Sequence, residues 1–284
     1  MNREPVAARE LYLRLLEQPA AGAYDAVAEP WAARAGDAYR ERLAALARLL
    51  AGPLPEKGDP RRARLAVDLW ELYALSRVSD ALLLSFQPPG HDHWAGPGLS
   101  REQYLAFFTG LGMAPFEETG VFDPFLHEIV EVEQAADPAE PIRITGVVWP
   151  GLWLGGGVLF GRAGVRVRAG VRHAERSVAD RSPLYWTFRR RHRPTADLSM
   201  GWGSNSQWRT DFRVDVRTAT GDRLNVLGDT HVDAVEADDA EALLTPAERR
   251  DLLRHRCLLR TPERAEALAT RAGRASDLFP YDWR

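Results

Sequence analysis

The sequence predicts a mainly α protein with accessory β-hairpins, and three observations predict it. Helix starts are marked by a capping residue directly before proline, at Asp59-Pro60, Ser182-Pro183, Thr245-Pro246 and Thr261-Pro262. The cap oxygen accepts an orphan backbone N–H, and proline tolerates the first helical position. Apolar residues recur at helical spacing through the N-terminal part of the chain. Period-two alternation is confined to the middle, where it comes in pairs around turn residues. The chain therefore reads as one domain over 1–284, helical over 1–112, hairpin-rich over 125–230 and closed by C-terminal helices over 240–275.

The elements follow in order. A helix over 5–17 lines up Ala8, Tyr12, Leu15 and Leu16. A helix over 38–51 carries Tyr39, Leu43, Leu46 and Leu50, and stops at Gly52-Pro53. The longest, 60–86, has apolar residues on more than one face: Val67, Trp70, Ala74, Val78 and Leu82, with Leu65, Leu69 and Leu72. That pattern predicts a buried central helix. Ser100 and Gln103 fit a capping box before a helix over 101–111, and Thr245 and Glu248 fit another before 246–258. A last helix runs over 262–273. Between them, 128–134 and 142–149 read as one hairpin, 165–171 as a strand, and 210–218 with 223–227 as a second hairpin.

Composition bounds the function. The chain has 284 residues, 45% hydrophobic and 27% charged, which excludes collagen-like, low-complexity and disordered classes. No apolar run approaches the ~18 residues of a spanning helix, so no membrane partner is expected. The opening Met-Asn-Arg-Glu-Pro runs into a charged helical pattern, which predicts no signal peptide and a cytoplasmic protein. The one cysteine, Cys257, excludes internal disulfides and Cys-cluster metal sites. Residues 1–161 carry 14 basic and 22 acidic groups, a net of -8, whereas 162–223 carry 14 and 6, a net of +8. The basic middle either pairs with the acidic N-terminal part or meets a carboxylate- or phosphate-bearing ligand. The slightly acidic whole argues against nucleic acid.

Chemistry has several candidate homes. His91-Asp92-His93-Trp94 follows the long helix in a Pro/Gly loop, and an H-x-H pair can chelate a metal or place an acid/base group. His127-Glu128-Ile129-Val130-Glu131 lacks the second histidine of a metalloprotease helix, and its β-branched residues favour a strand. On a strand His127, Glu131 and Glu133 share one face, a conceivable non-haem metal patch. Downstream of Ser182-Pro183, Leu184, Phe188 and His192 fall on one helical face that ends at Pro194, with Arg189, Arg190, Arg191 and Arg193 around it. A histidine on an apolar face flanked by cations suits a haem, with imidazole to iron and arginines to the propionates. The glycine-rich segment 201–211 offers Trp202 and Trp208 to wall an aromatic ring. Asn205, Ser206, Gln207, Arg209 and Thr210 could grip an amino acid, with Arg209 forked onto its carboxylate. Cys257, among cations on a leucine-bearing helix, reads as a core filler.

At LYWTFRRRHRPTADLSMGWGSNSQWRTDF, residues 184–212, the sequence resembles the histidine-ligated haem tyrosine hydroxylases of natural-product pathways. They belong with tryptophan 2,3-dioxygenase in a superfamily of haem-dependent aromatic oxygenases. The likeness rests on a histidine after a long helix, a helical histidine downstream, and a glycine-rich loop after that, over about residues 60–230. It implies a helical haem-binding domain of the tryptophan dioxygenase-like kind and haem b without thioether links, since C-x-x-C-H is absent. It implies His192 as axial iron ligand, with Phe188, Arg189 and Arg191 against the haem and His91 or His93 as distal acid/base. The loop 201–210 would hold the substrate. The implied reaction is L-tyrosine to L-DOPA with hydrogen peroxide, and a homodimer is compatible with it. Two other classes stand beside it: a non-haem metal enzyme using His91, His93, His127 and Glu131, and a non-catalytic protein that binds an anionic ligand.

Overall fold

The computed structural model describes residues 7–19, 21–55, 59–87, 96–117, 120–182, 185–187, 190, 212–234, 244–255, 261–272 and 283–284. Of the described residues, helix accounts for 47% and strand for 20%. The expected mainly α fold is therefore corrected to an α/β fold. The reason is strand length. Met113–Phe116, Gly151–Leu154 and Val158–Gly161 have four residues each, too few to show alternation, and as bare sequence they pass for apolar loops.

The chain forms two compact units, each assembled from separated stretches of sequence. The first holds α1 (Ala8–Leu16), α2 (Glu29–Ala51), α3 (Arg61–Leu83), α4 (Arg101–Gly110), β1 (Met113–Phe116), β4 (Gly151–Leu154) and β5 (Val158–Gly161). A π-helical turn, Tyr24–Ala28, leads into α2. Strands lie in the order β1-β4-β5, and β4 and β5 are antiparallel. Their turn uses Gly155 at φ +62°, where a Cβ would stand 2.7 Å from the Ala47 methyl on α2. Trp31, Phe107, Phe108 and Phe160 make an aromatic core.

Residue Ala7 cannot cap α1 with a side chain, and the cap comes from other helices. The Ala8 N–H donates to the Tyr39 hydroxyl at 2.8 Å and to Glu71 Oε2 at 3.2 Å. Tyr39 in turn donates to Glu71 Oε2 at 2.6 Å. A carboxylate thus sits at the positive end of α1 and ties it to α2 and α3. Local caps follow the sequence expectation. Ser100 and Gln103 form the capping box of α4. Asp59 accepts the Arg61 N–H at 2.8 Å at the start of α3. The expected buried central helix needs a correction: α3 buries its second half, whereas Val67 and Trp70 in the first half are exposed.

The second unit holds β2 (His127–Gln134), β3 (Arg143–Trp149), β6 (Ala163–Ala169), α5 (Arg176–Arg181), β7 (Asp215–Thr218), β8 (Gly221–Arg223), α6 (Pro246–His255) and α7 (Pro262–Ala272). The expected hairpin of 128–134 with 142–149 does not form. β6 lies between them, parallel to β2 and antiparallel to β3. Its Val165 and Val167 are fully buried, and such a strand belongs at the centre of a sheet. A hairpin does form near the second expected one, but shorter and with a shifted second arm: β7 pairs with β8, Val216 to Arg223 and Thr218 to Gly221, and 224–227 is not strand. Thr245 and Glu248 complete the capping box of α6. Buried Asn225, at φ +44°, donates from Nδ2 to the Trp283 carbonyl at 2.6 Å, and its N–H donates to fully buried Asp215 at 2.8 Å.

Candidate functional site

The candidate site grows from the register of the three-stranded sheet. Ala163, Val165, Val167 and Ala169 of β6 face the core. Their β2 partners are His127, Ile129, Val132 and Gln134. Val130 is an extra residue, a bulge that shifts the β2 register by one. Gly164, Arg166 and Arg168 point to the other face, with Glu128, Glu131 and Glu133 as partners. The expected metal patch is thereby corrected. His127 does not share a face with Glu131 and Glu133, because one bulged residue flips every side chain after it. Glu131 pairs with Arg166 at 3.0 Å, and Glu133 and Glu140 both pair with Arg168.

Glu128, Gly164 and Trp149 form one row across this face. Gly164 has no side chain, and a Cβ there would overlap the indole carbons Cδ2, Cε2 and Cζ2 of Trp149. The ring therefore lies flat on the β6 backbone. Its Nε1 donates to the Arg162 carbonyl at 3.2 Å. Arg190 covers it: the guanidinium carbon is 5.2 Å from the Trp149 ring centre and 5.8 Å from that of Trp186. Nη2 of Arg190 donates to Glu128 Oε1 at 2.8 Å, and both side chains are buried. Two charges out of water are tolerable only as such a partnered pair, and removing one partner of a buried pair costs about 3–5 kcal/mol. The flanking aromatic faces add cation–π attraction. The cluster is a rigid anchor for the chain at residue 190.

On the other side of β2, His127 is buried. Its Nδ1 accepts the Asp123 N–H at 2.9 Å, which places the ring proton on Nε2. Phe122 stacks on the ring at 5.8 Å. Asp123 is held by Arg217 at 2.8 Å, which also forks onto Asp222. Phe122, His127, Glu128, Tyr185, Trp186 and His255 enclose a cavity of about 20 Å³, room for about one water. At its edge His255 Nε2 lies 3.1 Å from Asp251, and Asp251 accepts from Arg264 at 2.8 Å. Arg162 donates to the carbonyls of Arg254 and His255 and so caps the end of α6.

His91, His93, Phe188, Arg189, Arg191, His192, Trp202, Asn205, Ser206, Gln207, Trp208, Arg209, Thr210 and Cys257 all lie outside the described residues. Glu128, Arg190, Trp149, Trp186 and Gly164 were not singled out as site residues, and the structure brings them together. The charge asymmetry does resolve in part. Arg166, Arg168, Arg190 and Arg217 of the basic segment all pair with acids of the N-terminal part. Among the described residues, no group of three or more His, Cys, Asp or Glu is placed to hold a metal ion. None of the described helices is long and apolar enough to cross a membrane. No protein-family model, curated protein or solved structure matches the chain.

Proposed function

We propose that the protein is a haem-dependent hydroxylase that converts L-tyrosine to L-DOPA with hydrogen peroxide, in natural-product biosynthesis. The observation that supports this reading is the seat of Arg190. Trp186, Thr187 and Arg190 are helical, and Arg190 faces Glu128 and Trp149 of the sheet. On a helix continued to Pro194, as the sequence predicts, Phe188 and His192 stand two positions either side of Arg190. Two positions are about 200° of rotation, so the helix expected from the sequence would turn Phe188 and His192 away from the face that carries Arg190. His192 would hold haem b on the side turned away, with Phe188 as its aromatic neighbour. The face of the sheet beneath Arg190 is occupied by Trp149, and Trp186 flanks the same guanidinium.

Arg190 is neutralised by Glu128, so Arg189 and Arg191 are the arginines that would meet the propionates. Haem, when bound, supplies the activation of peroxide. His91 or His93 would hold and pass the proton on the distal side. Arg209 would take the substrate carboxylate, and Trp202 and Trp208 would flank the ring.

The test is an absorption spectrum of protein loaded with haem. The wild type is expected to show a histidine-ligated Soret band, and His192→Ala to lose most of it with unchanged circular dichroism. A wild type that takes up no haem, or a His192→Ala variant with the native band, overturns the reading. Catechol formation from L-tyrosine and peroxide then tests the reaction itself.

A further inference from the structure

We propose that α3 carries a self-association face, and that its occupant is the same face of a second copy of this chain. Val67, 54% exposed, and Trp70, 49% exposed, stand about one turn apart on α3. With Val121 they are the exposed large hydrophobic side chains among the described residues. Ala63 and Ala66 are exposed beside them. Positions 63, 66, 67 and 70 make the i, i+3, i+4, i+7 stripe that a helix turns toward an apolar neighbour. The opposite side of the same helix is already used, with Leu65 and Leu72 buried. Arg64 and Glu71, two turns apart, form one flank of the stripe.

This face is complementary to itself in one arrangement. Laid antiparallel on a copy with a two-fold axis at Val67, residues equally far before and after Val67 come level. Val67 then meets Val67 of the second copy. Trp70 lies over the small Ala63 and Ala66 of the second copy, and the reciprocal contact repeats it. Antiparallel packing keeps like flanks together, so Arg64 comes level with Glu71 of the second copy, twice. Arg64 is exposed and pairs with no acid among the described residues. Glu71 has an oxygen to offer: Oε2 serves Tyr39 and Ala8, whereas Oε1 lies 3.9 Å from Arg42, beyond hydrogen-bond reach. A parallel arrangement would set Trp70 level with Trp70 and bring the Arg64–Glu71 flank against the opposite flank of the copy, so that Arg64 and Glu71 do not meet. Charge and size both select the antiparallel pair. A single helix face is small for a specific interface, so association belongs in the micromolar range.

Sedimentation equilibrium of the full chain tests this. The wild type is expected to dimerise reversibly. Val67→Glu puts two carboxylates on the axis, and Trp70→Ala removes the large side chain that enters the small-residue gap. Each should weaken association about thirtyfold or more, the loss typical of a central aromatic or axial contact, with unchanged circular dichroism. Arg64→Glu should weaken it about tenfold, less so in high salt. Independently of those folds, Val67→Cys in a Cys257→Ser background should oxidise to a symmetric covalent dimer. A wild type that stays monomeric across the micromolar range overturns the proposal, whether or not it captures vesicles or another protein. So does a dimer indifferent to Val67→Glu, or a Val67→Cys chain that does not cross-link.

Discussion

Replacing Gly164 with alanine should cost far more than one methyl group ordinarily does. The added Cβ has no room, because the Trp149 indole lies flat on the β6 backbone at that point. The indole cannot swing away cheaply. It is fully buried, bonded through Nε1 to the Arg162 carbonyl, and covered by Arg190, which is itself committed to Glu128. Overpacking a tight core costs about 1–3 kcal/mol, and the linked hydrogen bond and cation–π contact place this site at the top, about 3 kcal/mol. For a unit of this size that corresponds to roughly 6–12 °C in Tm. Urea unfolding followed by tryptophan fluorescence reads it. A double-mutant cycle assigns the cause. Trp149→Ala alone should cost about 3–5 kcal/mol, and Gly164→Ala in that background should then be neutral within about 0.5 kcal/mol. A Gly164→Ala variant as stable as wild type would refute the stacked geometry. An equal cost with and without Trp149 would show that β6 resists alanine for some other reason.

Two further perturbations test the packing of each unit. Tyr39→Phe removes the hydroxyl between Ala8 and Glu71 and should cost about 1–2 kcal/mol at neutral pH. Burial, reinforced by the Glu71 hydrogen bond and charge, holds the Tyr39 phenol well above its ordinary value. Its contribution is therefore whole below the phenol's usual pKa of about 10 and is lost as pH rises. The wild type should lose stability on the alkaline side more steeply than Tyr39→Phe, and equal slopes in urea melts would contradict this. Glu175 behaves oppositely. Burial alone would raise its pKa, but the Ser177 hydroxyl, the N–H groups of Ser177 and Val178, and Arg181 outweigh it and hold the carboxyl low. Its contribution is present above the usual glutamate value of about 4.3 and fades as pH falls. Glu175→Ala should cost about 1 kcal/mol at neutral pH, as a lost N-cap does, and flatten the acid limb of the stability curve. An unchanged acid limb would remove Glu175 as its source.

Helix starts were legible because a cap is a local event: Ser100 with Gln103, and Thr245 with Glu248, need only neighbours three residues away. The start of α2 was not. It begins at Glu29, nine residues before the expected 38, because Pro30 falls in the first turn, where proline is tolerated, and Gly36 hides inside the helix. Pairing over distance was illegible for a different reason. Nothing in the turn at Asp137-Pro138 forbids a hairpin of β2 with β3. What excludes it is the fully buried β6, later in the chain, which takes both partners. The bulge at Val130 leaves no mark in composition, yet it decides which glutamates share a face. Glu128 and Arg190 are 62 residues apart, and periodicity cannot match them. One signal was present: a glycine within the β6 pattern of valines marks a place where something flat must approach the backbone, and Trp149 is what approaches.

The interleaving of the two units sets a timetable for synthesis. The helical unit owns β4 and β5, so it lacks two strands until residue 161 has left the ribosome. The other unit begins near residue 117 yet buries Trp283, whose carbonyl is bound by Asn225. At translation rates of about 5–20 residues per second, that span takes roughly 8–30 s to appear. For the last roughly 6–23 s of that interval the β6 valines have emerged but their last covering residue has not. Cutting the gene between the helices and the first strand would keep the second unit's stretches on one fragment but part α1–α4 from β1, β4 and β5.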